Sequence, residues 1–249
     1  MSKIVVITGA SSGIGAALGE RLASQGHQVV LVARRKAALD EVASRCGGRA
    51  TVQVADVTDR AQVRRVADET LRAFGRIDVW VNNAGQGITR NPSELTDEDL
   101  DAVMRANVHS ALYGVQEVLP HFKQRGEGHI INVSSLLGRV PFATIRSAYS
   151  GAKHFLNALT AMLRAEVQAT HPGIQFSLVS PGVVRTDFGL HARHGGPDSR
   201  SFPESQSAED VAAVIANVIE TRQPDVYTRP AAAMIAKYYA DVGVDPHRT

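Results

Sequence analysis

Tyr149 and Lys153 stand four residues apart in the stretch "YSGAK". If that stretch is helical, one turn places both side chains on the same face. A free tyrosine titrates near pH 10 and is a poor proton shuttle at neutrality, but a neighbouring ammonium favours the phenolate and makes the phenol a usable acid or base. The pair would then move a proton to or from an oxygen. With five tyrosines and five lysines in 249 residues, such a pair arises by accident roughly 0.1 times. The competing reading is an exposed helix start with two amphipathic side chains. The surroundings favour chemistry: "SSLLG" (134–138) closes the preceding apolar run, so its hydroxyls lie one loop upstream of the pair.

A second group of residues suits phosphate. "ITGASSGIG" (7–15) follows a short β-branched run and leads into a helical pattern. Gly9, Gly13 and Gly15 permit a tight turn and close backbone approach, while the amides around Ser11, Ser12 and Ile14 open a helix whose N-terminus attracts a pyrophosphate. The alternative is a plain glycine-rich turn. The next apolar run ends in Arg34 and Arg35, and residues 27–39 contain no Asp or Glu. An acidic residue there accepts from a ribose 2′-OH, whereas arginine suits a 2′-phosphate, so the expectation is NADP(H) in preference to NAD(H). The competing reading is two solvated arginines that start a helix. Asp56, beside Val57, either accepts from an adenine amino group or begins a turn or caps a helix. Asn83, Ala84 and Gly85, within "NNAG", follow the fourth run at the same end of the strands.

Short Val/Ile-rich runs must position these groups: 3–8, 28–33, 50–55, 77–82, 129–134 and 174–180, with a seventh near 225. Continuous apolar strands of this kind are buried on both faces, as in a parallel sheet covered by helices. Helical patterns fall between them, at about 14–25, 36–46, 59–74, 97–125, 149–170 and 207–221, several opened by Ser, Thr or Asp caps. A doubly wound, seven-stranded α/β sheet of the Rossmann type follows, in one domain over 1–249. The Gly/Pro/Ser-rich stretch 191–205, in a loop of about 187–206, reads as a mobile lid. Its His191, Arg193, His194 and Arg200 face either an anionic substrate or water. Candidate pocket residues are Gln86, Leu136, Leu137, Phe142, Val183 and Phe188. "AAAMIAKYYADVG" (231–243) reads as a helix near the pocket or on a partner.

These motifs, in this order, resemble the short-chain dehydrogenase/reductase family. T-G-x-x-x-G-x-G is Thr8, Gly9, Gly13 and Gly15; N-N-A-G is 82–85; Y-x-x-x-K is Tyr149 and Lys153; P-G-x-x-x-T is Pro181, Gly182 and Thr186. The resemblance runs from residue 3 to about 190. It implies that Tyr149 is the general acid for carbonyl reduction or the base for alcohol oxidation. It implies that Lys153 lowers the Tyr149 pKa and holds the nicotinamide ribose, that Ser135 bonds the substrate oxygen, and that Asn107 holds a water linking Lys153 to solvent. It places Pro181, Gly182, Val184 and Thr186 against the cofactor, with Thr186 on the carboxamide. A mid-helix asparagine also has a structural use, bonding a nearby carbonyl, and the alternative reading of Thr186 is the cap of a short helix. Ser135 is preferred to Ser134 because Gly138 completes S-x-x-G, although its interval to Tyr149 is one residue longer than the family's commonest. The family's habit implies a homodimer or homotetramer through 97–125 and 149–170. A catalytically silent NADP(H)-binding regulator is the alternative from another class, and an acyl-carrier ketoacyl reductase or an epimerase would share the core motifs.

Composition excludes other classes. The formal charge is +2 with scattered arginines, which gives no support to nucleic-acid binding. No stretch approaches the roughly 18 apolar residues of a membrane span. The N-terminus reads as a strand, not a signal, and the single cysteine, Cys46, fits a reducing compartment, so cytoplasmic is the expectation. No H-E-x-x-H or Cys/His cluster suggests a metal, and no G-x-S-x-G elbow suggests a serine hydrolase.

Overall fold

The computed structural model describes residues 1–241. Seven strands, β1 (Ile4–Thr8), β2 (Gln28–Ala33), β3 (Ala50–Val54), β4 (Val79–Asn82), β5 (Gly128–Val133), β6 (Ile174–Ser180) and β7 (Asp225–Tyr227), form one sheet in the order β3-β2-β1-β4-β5-β6-β7. Every neighbouring pair is parallel. Among the described residues, eight α-helices accompany them: α1 (Gly13–Ser24), α2 (Lys36–Ser44), α3 (Arg60–Phe74), α4 (Asp97–Met104), α5 (Ser110–Arg125), α6 (Ser147–Gln168), α7 (Ala208–Thr221) and α8 (Ala232–Asp241).

The alternation of side chains along β1 divides the core. Val5 and Ile7 point to one face, where Leu18 and Leu22 of α1, Leu39 of α2 and Ile215 of α7 cover them. Val6 points to the other, into a layer with Val66 of α3, Phe122 of α5 and Val167 of α6. Burial on both faces explains why the strands carry uninterrupted apolar runs. β1 lies between β2 and β4, so the chain winds outward on one side, returns, and winds outward on the other. A crevice opens at this reversal, beyond the carboxyl ends of the strands.

Two segments depart from the sequence reading. The pattern over 97–125 is not one continuous helix: a π-helical turn, Arg105–His109, separates α4 from α5. Asn107 in that turn donates its side-chain amide to Val103 O at 2.9 Å, taking the carbonyl that its own backbone amide would use in an α-helix. The stretch 191–205, read as a mobile lid, carries local structure of its own. Its Arg193 bridges to Ile88, Gln206 just beyond it bridges to Val184, and Asp198 starts a short 3₁₀ turn, Ser199–Ser201. Backbone pairing supplies the order that glycine and proline composition does not reveal.

The C-terminal helix forms as α8, and Tyr239 on it donates to Arg139 O at 2.8 Å; the expected residues 242–243 lie outside the described residues. Among the described residues, no helix is long and apolar enough to cross a membrane.

Candidate active site

The glycine-rich turn sits at the carboxyl end of β1, where Thr8 anchors the neighbouring strand's loop. Its Oγ1 accepts from the backbone amides of Asn83 and Ala84, at 3.0 and 3.1 Å. Asn83 returns the contact by donating its side-chain amide to Thr8 O and Gly9 O, at 2.9 and 3.2 Å. Asn83 is thus a brace for the turn. Glycine is required at two places: Gly9 has φ +67°, with a β-carbon there falling 2.8 Å from Ala84 Cα, and one on Gly15 would fall 2.4 Å from Gly9 O. Ile14 is half-buried between them and packs on the core.

Side chains cap α3 (Asp59), α4 (Thr96) and α7 (Ser207), but Ser12 makes no such bond at the start of α1. The first amides of α1 therefore keep their donors and the positive end of the helix dipole for an anion. Arg35 Nη2 reaches across from the end of β2 to Ser11 Oγ and Ser12 Oγ, each at 3.2 Å. Arg34 is exposed and makes no side-chain hydrogen bond among the described residues. Uncapped amides beside two hydroxyls and a guanidinium fit a dinucleotide's phosphates. Asp56 accepts from Thr58 N and Oγ1 at 2.9 and 2.8 Å, which is the turn reading, and Val57 beside it is half-buried.

The 3₁₀ turn Leu136–Gly138 after β5 sets the hydroxyls. Ser134 is buried, and its Oγ donates to Asn157 Oδ1 on α6. Asn157 Nδ2 in turn donates to Gly138 O at 2.7 Å, and Ser150 Oγ to Leu137 O at 2.6 Å. Ser135 points the other way: its Oγ accepts from Leu137 N at 3.1 Å and lies beside the Tyr149 phenol. α6 carries Tyr149 and Lys153, both buried, with Lys153 Nζ 5.6 Å from the Tyr149 ring centroid. Lys153 Nζ donates to Val133 O at 2.9 Å.

Burial pushes the Tyr149 phenol up to about 12, against the opposing effects of the Ser135 hydroxyl and the Arg146 charge. Burial also pulls the Lys153 ammonium down to about 7. Desolvation, which disfavours the charged form of each group, is the leading cause of both shifts. Asn107 donates to Gln86 O at 2.8 Å and accepts from Gln86 N at 3.3 Å, so it pins the loop after β4 as well as Val103. A β-carbon on Gly85 would lie 2.7 Å from Asn107 Oδ1 and 3.7 Å from Lys153 Nζ, so Gly85 is what keeps the space between them open.

Pro181 follows β6, and its carbonyl accepts from Leu136 N at 2.8 Å. Gly182 lies against Arg229, and Val184 is buried in the core. Thr186 reaches the glycine-rich turn, its Cγ2 2.9 Å from a β-carbon placed on Gly13; its Oγ1 accepts from Phe188 N at 3.3 Å. Phe188 then packs on Tyr149, ring centroids 5.6 Å apart.

All of these groups meet at one sheet edge, and residues 3–195 match the family model described as short chain dehydrogenase. The chain belongs to the short-chain dehydrogenase family. It is an oxidoreductase of that family. One relative, named sulfoacetaldehyde reductase 2, from Chromohalobacter salexigens, is 35% identical over 224 residues, 86% of this chain and 87% of that one. Two solved structures are also similar. A short-chain dehydrogenase/reductase of Burkholderia phymatum in complex with NAD superimposes with TM-score 0.89 at 27% identity, over 97% of this chain and 94% of that one. A short-chain dehydrogenase of Sphingobium yanoikuyae in complex with NADPH gives 0.82 at 30%, over 96% and 91%.

Two residues of this dehydrogenase escaped the sequence reading. Asp99, at the start of α4, passes for a member of a capping sequence, and its backbone amide does donate to Thr96 Oγ1. Its buried carboxylate also accepts from Arg90 at 3.0 Å, from Arg193 Nε and from His194 at 2.8 Å. These contacts hold its pKa well below the usual carboxylate range, the Arg193 bond foremost. Arg200 is likewise paired, with Asp198 at 2.8 Å and Asp187 at 3.2 Å. Three of the four lid cations expected to face a substrate anion or water are thus held by carboxylates; His191 is exposed. The second missed residue is Arg146, one turn before Tyr149 on the 3₁₀ segment Thr144–Arg146. No pairing rule in sequence distinguishes it from a surface arginine.

Proposed function

We propose that this short-chain dehydrogenase is an NADP(H)-dependent reductase of aldehydes or ketones, running in reverse on the corresponding alcohols. The observation that carries the reading is a buried phenol, Tyr149, with the Ser135 hydroxyl beside it and Lys153 beneath its ring. A carbonyl that accepts hydride develops negative charge on oxygen, and two placed hydroxyl donors stabilise it. The bound nicotinamide supplies that hydride. Tyr149, protonated at neutral pH, is the general acid. Ser135 Oγ spends a lone pair on Leu137 N and keeps its proton for the substrate oxygen. Lys153 would hold the nicotinamide ribose, and Asn107 would order a water in the gap that Gly85 leaves open.

The glycine-rich turn, from Gly9 through Ser11, Ser12, Gly13 and Ile14 to Gly15, would hold the pyrophosphate. Arg35, helped by Arg34, would take the 2′-phosphate, Asp56 and Val57 the adenine, and Pro181, Gly182, Val184 and Thr186 the nicotinamide side. The similar structures contain NAD in one case and NADPH in the other; Arg35 on Ser11 and Ser12 favours NADP(H) for this chain. The relative named sulfoacetaldehyde reductase supports a small carbonyl substrate. Phe155 and Met162, 51% and 64% exposed on one side of α6, support a homodimer or homotetramer through α5 and α6. Such a protein would work as one domain in the cytoplasm.

The test is NADPH oxidation with a panel of aldehydes and ketones, in the parent and in Tyr149→Phe. The expected result is turnover in the parent and a loss of 10²–10⁴-fold in the variant. Equal turnover in the two proteins would remove the phenol from the mechanism.

A further inference from the structure

Arg146 is a half-buried arginine with no carboxylate within 4.0 Å among the described residues. Its Nη1 donates to a backbone carbonyl, Ile88 O, at 2.9 Å, which leaves the positive charge uncompensated. Desolvation pulls its pKa down, opposed by the nearby Tyr149. Around it the other cations are consumed: Arg90, Arg193 and His194 converge on Asp99, and Arg200 on Asp198 and Asp187.

Its place is beside the reacting centre. A β-carbon on Gly87 would lie 3.0 Å from Arg146 Nη1 and 3.0 Å from Phe188 Cε1, so the guanidinium flanks the ring that packs on Tyr149. A β-carbon on Gly196 of the lid would lie 2.8 Å from Arg146 Nη2 and 2.8 Å from Thr89 Oγ1, a buried hydroxyl that has no hydrogen-bond partner among the described residues. Only glycine fits at 87 and 196, whose backbones approach the guanidinium closely from two sides, with Gly189 O also beside Gly196. A cation and an unpartnered hydroxyl beside the same lid glycine match the needs of a carboxylate or sulfonate.

We propose that Arg146 is a specificity-determining residue that binds an anionic group of the substrate, making the substrate a short aldehyde or ketone that carries a carboxylate or sulfonate. This rests on the reading of the protein as a carbonyl reductase. An anion seated there orients the carbonyl toward Tyr149 and Ser135, and a neutral isostere leaves the half-buried guanidinium without its counterion.

The experiment compares matched pairs: 4-oxobutanoate against its methyl ester, and 2-oxoethanesulfonate against propanal, each with NADPH and with NADH. The parent should favour the anion of at least one pair by tenfold or more in kcat/KM. Arg146→Met should lose on the order of 100-fold on that anion and only severalfold on the neutral partner, with Arg146→Lys between. A parent that prefers both neutral compounds, or a variant that loses equally on both members, would overturn the assignment, since a merely structural arginine affects both alike. If none of the four is turned over, the wider carbonyl panel judges the carbonyl-reductase reading and melting temperature judges the anion site. In the presence of NADP⁺, millimolar succinate or ethanesulfonate should stabilise the parent and not Arg146→Met; no stabilisation of the parent refutes the site.

Discussion

Replacing Arg35 should reset the choice of cofactor. Its guanidinium bridges Ser11 and Ser12 at 3.2 Å each, at the mouth of the uncapped α1 helix. A hydrogen bond to a charged group contributes about 1.5–3 kcal/mol, and an exposed guanidinium belongs at the lower end. Arg35→Ala should therefore lower kcat/KM for NADPH by roughly tenfold and leave that for NADH nearly unchanged. Arg35→Asp adds repulsion: a 2′-phosphate carries nearly two negative charges, and each costs about 1 kcal/mol against a carboxylate 4 Å away in water. The carboxylate also gains the ribose 2′-OH of NADH as a donor. Together these effects shift the NADPH/NADH ratio by about 10²–10³-fold toward NADH. Arg34→Asp should shift it less, because Arg34 touches neither serine. Steady-state kinetics with one carbonyl substrate, supported by cofactor fluorescence titration, reads the ratio directly. A ratio within threefold of the parent in both Arg35 variants would refute the 2′-phosphate assignment.

The two adjacent serines should separate cleanly: Ser135→Ala should fold normally and lose turnover, whereas Ser134→Ala should keep turnover and lose about 1–3 kcal/mol of stability, because Asn157 is left with a buried, unmet acceptor; the reverse pattern in kcat and denaturant midpoints would exchange their roles. Ser177 Oγ donates to Gln223 O, so buried His129 must donate through Nε2 to Ser177 and stays neutral, its pKa pulled down to about 3 by burial. Only the unfolded chain then takes up the proton between pH 6.5 and about 3, so stability is full above 6.5 and falls toward 3 by on the order of 1 kcal/mol per pH unit; His129→Gln should flatten that slope in pH-dependent urea melts, and an unchanged slope refutes the assignment. Asp99→Asn should release Arg193 and His194, raise proteolytic cutting within 191–205 and raise KM for the carbonyl while NADPH affinity holds; a lid as resistant as the parent's would show that the backbone bridges suffice.

The amino-acid sequence alone determined what depends on neighbours along the chain. Unbroken apolar runs required strands buried on both faces, the glycine spacing required a turn entering a helix, and the four-residue interval placed Tyr149 and Lys153 on one face of α6. Element boundaries followed closely, apart from the π turn at Asn107, where a side-chain bond to Val103 and a contact with the distant Gln86 loop reshape the helix. Tertiary structure decided whatever depends on residues far apart in sequence. It selected Arg35 over Arg34 at the serine hydroxyls and turned Ser134 inward to Asn157 and Ser135 toward the phenol. It raised Tyr149 and lowered Lys153 by burying both. It also spent Arg193 and His194 on Asp99, 94 and 95 residues away, and left Arg146 without a counterion among the described residues. The physical reason is that charge and solvation depend on distance in space: a side chain's type is written in sequence, but its partner and its access to water exist only once the chain has packed.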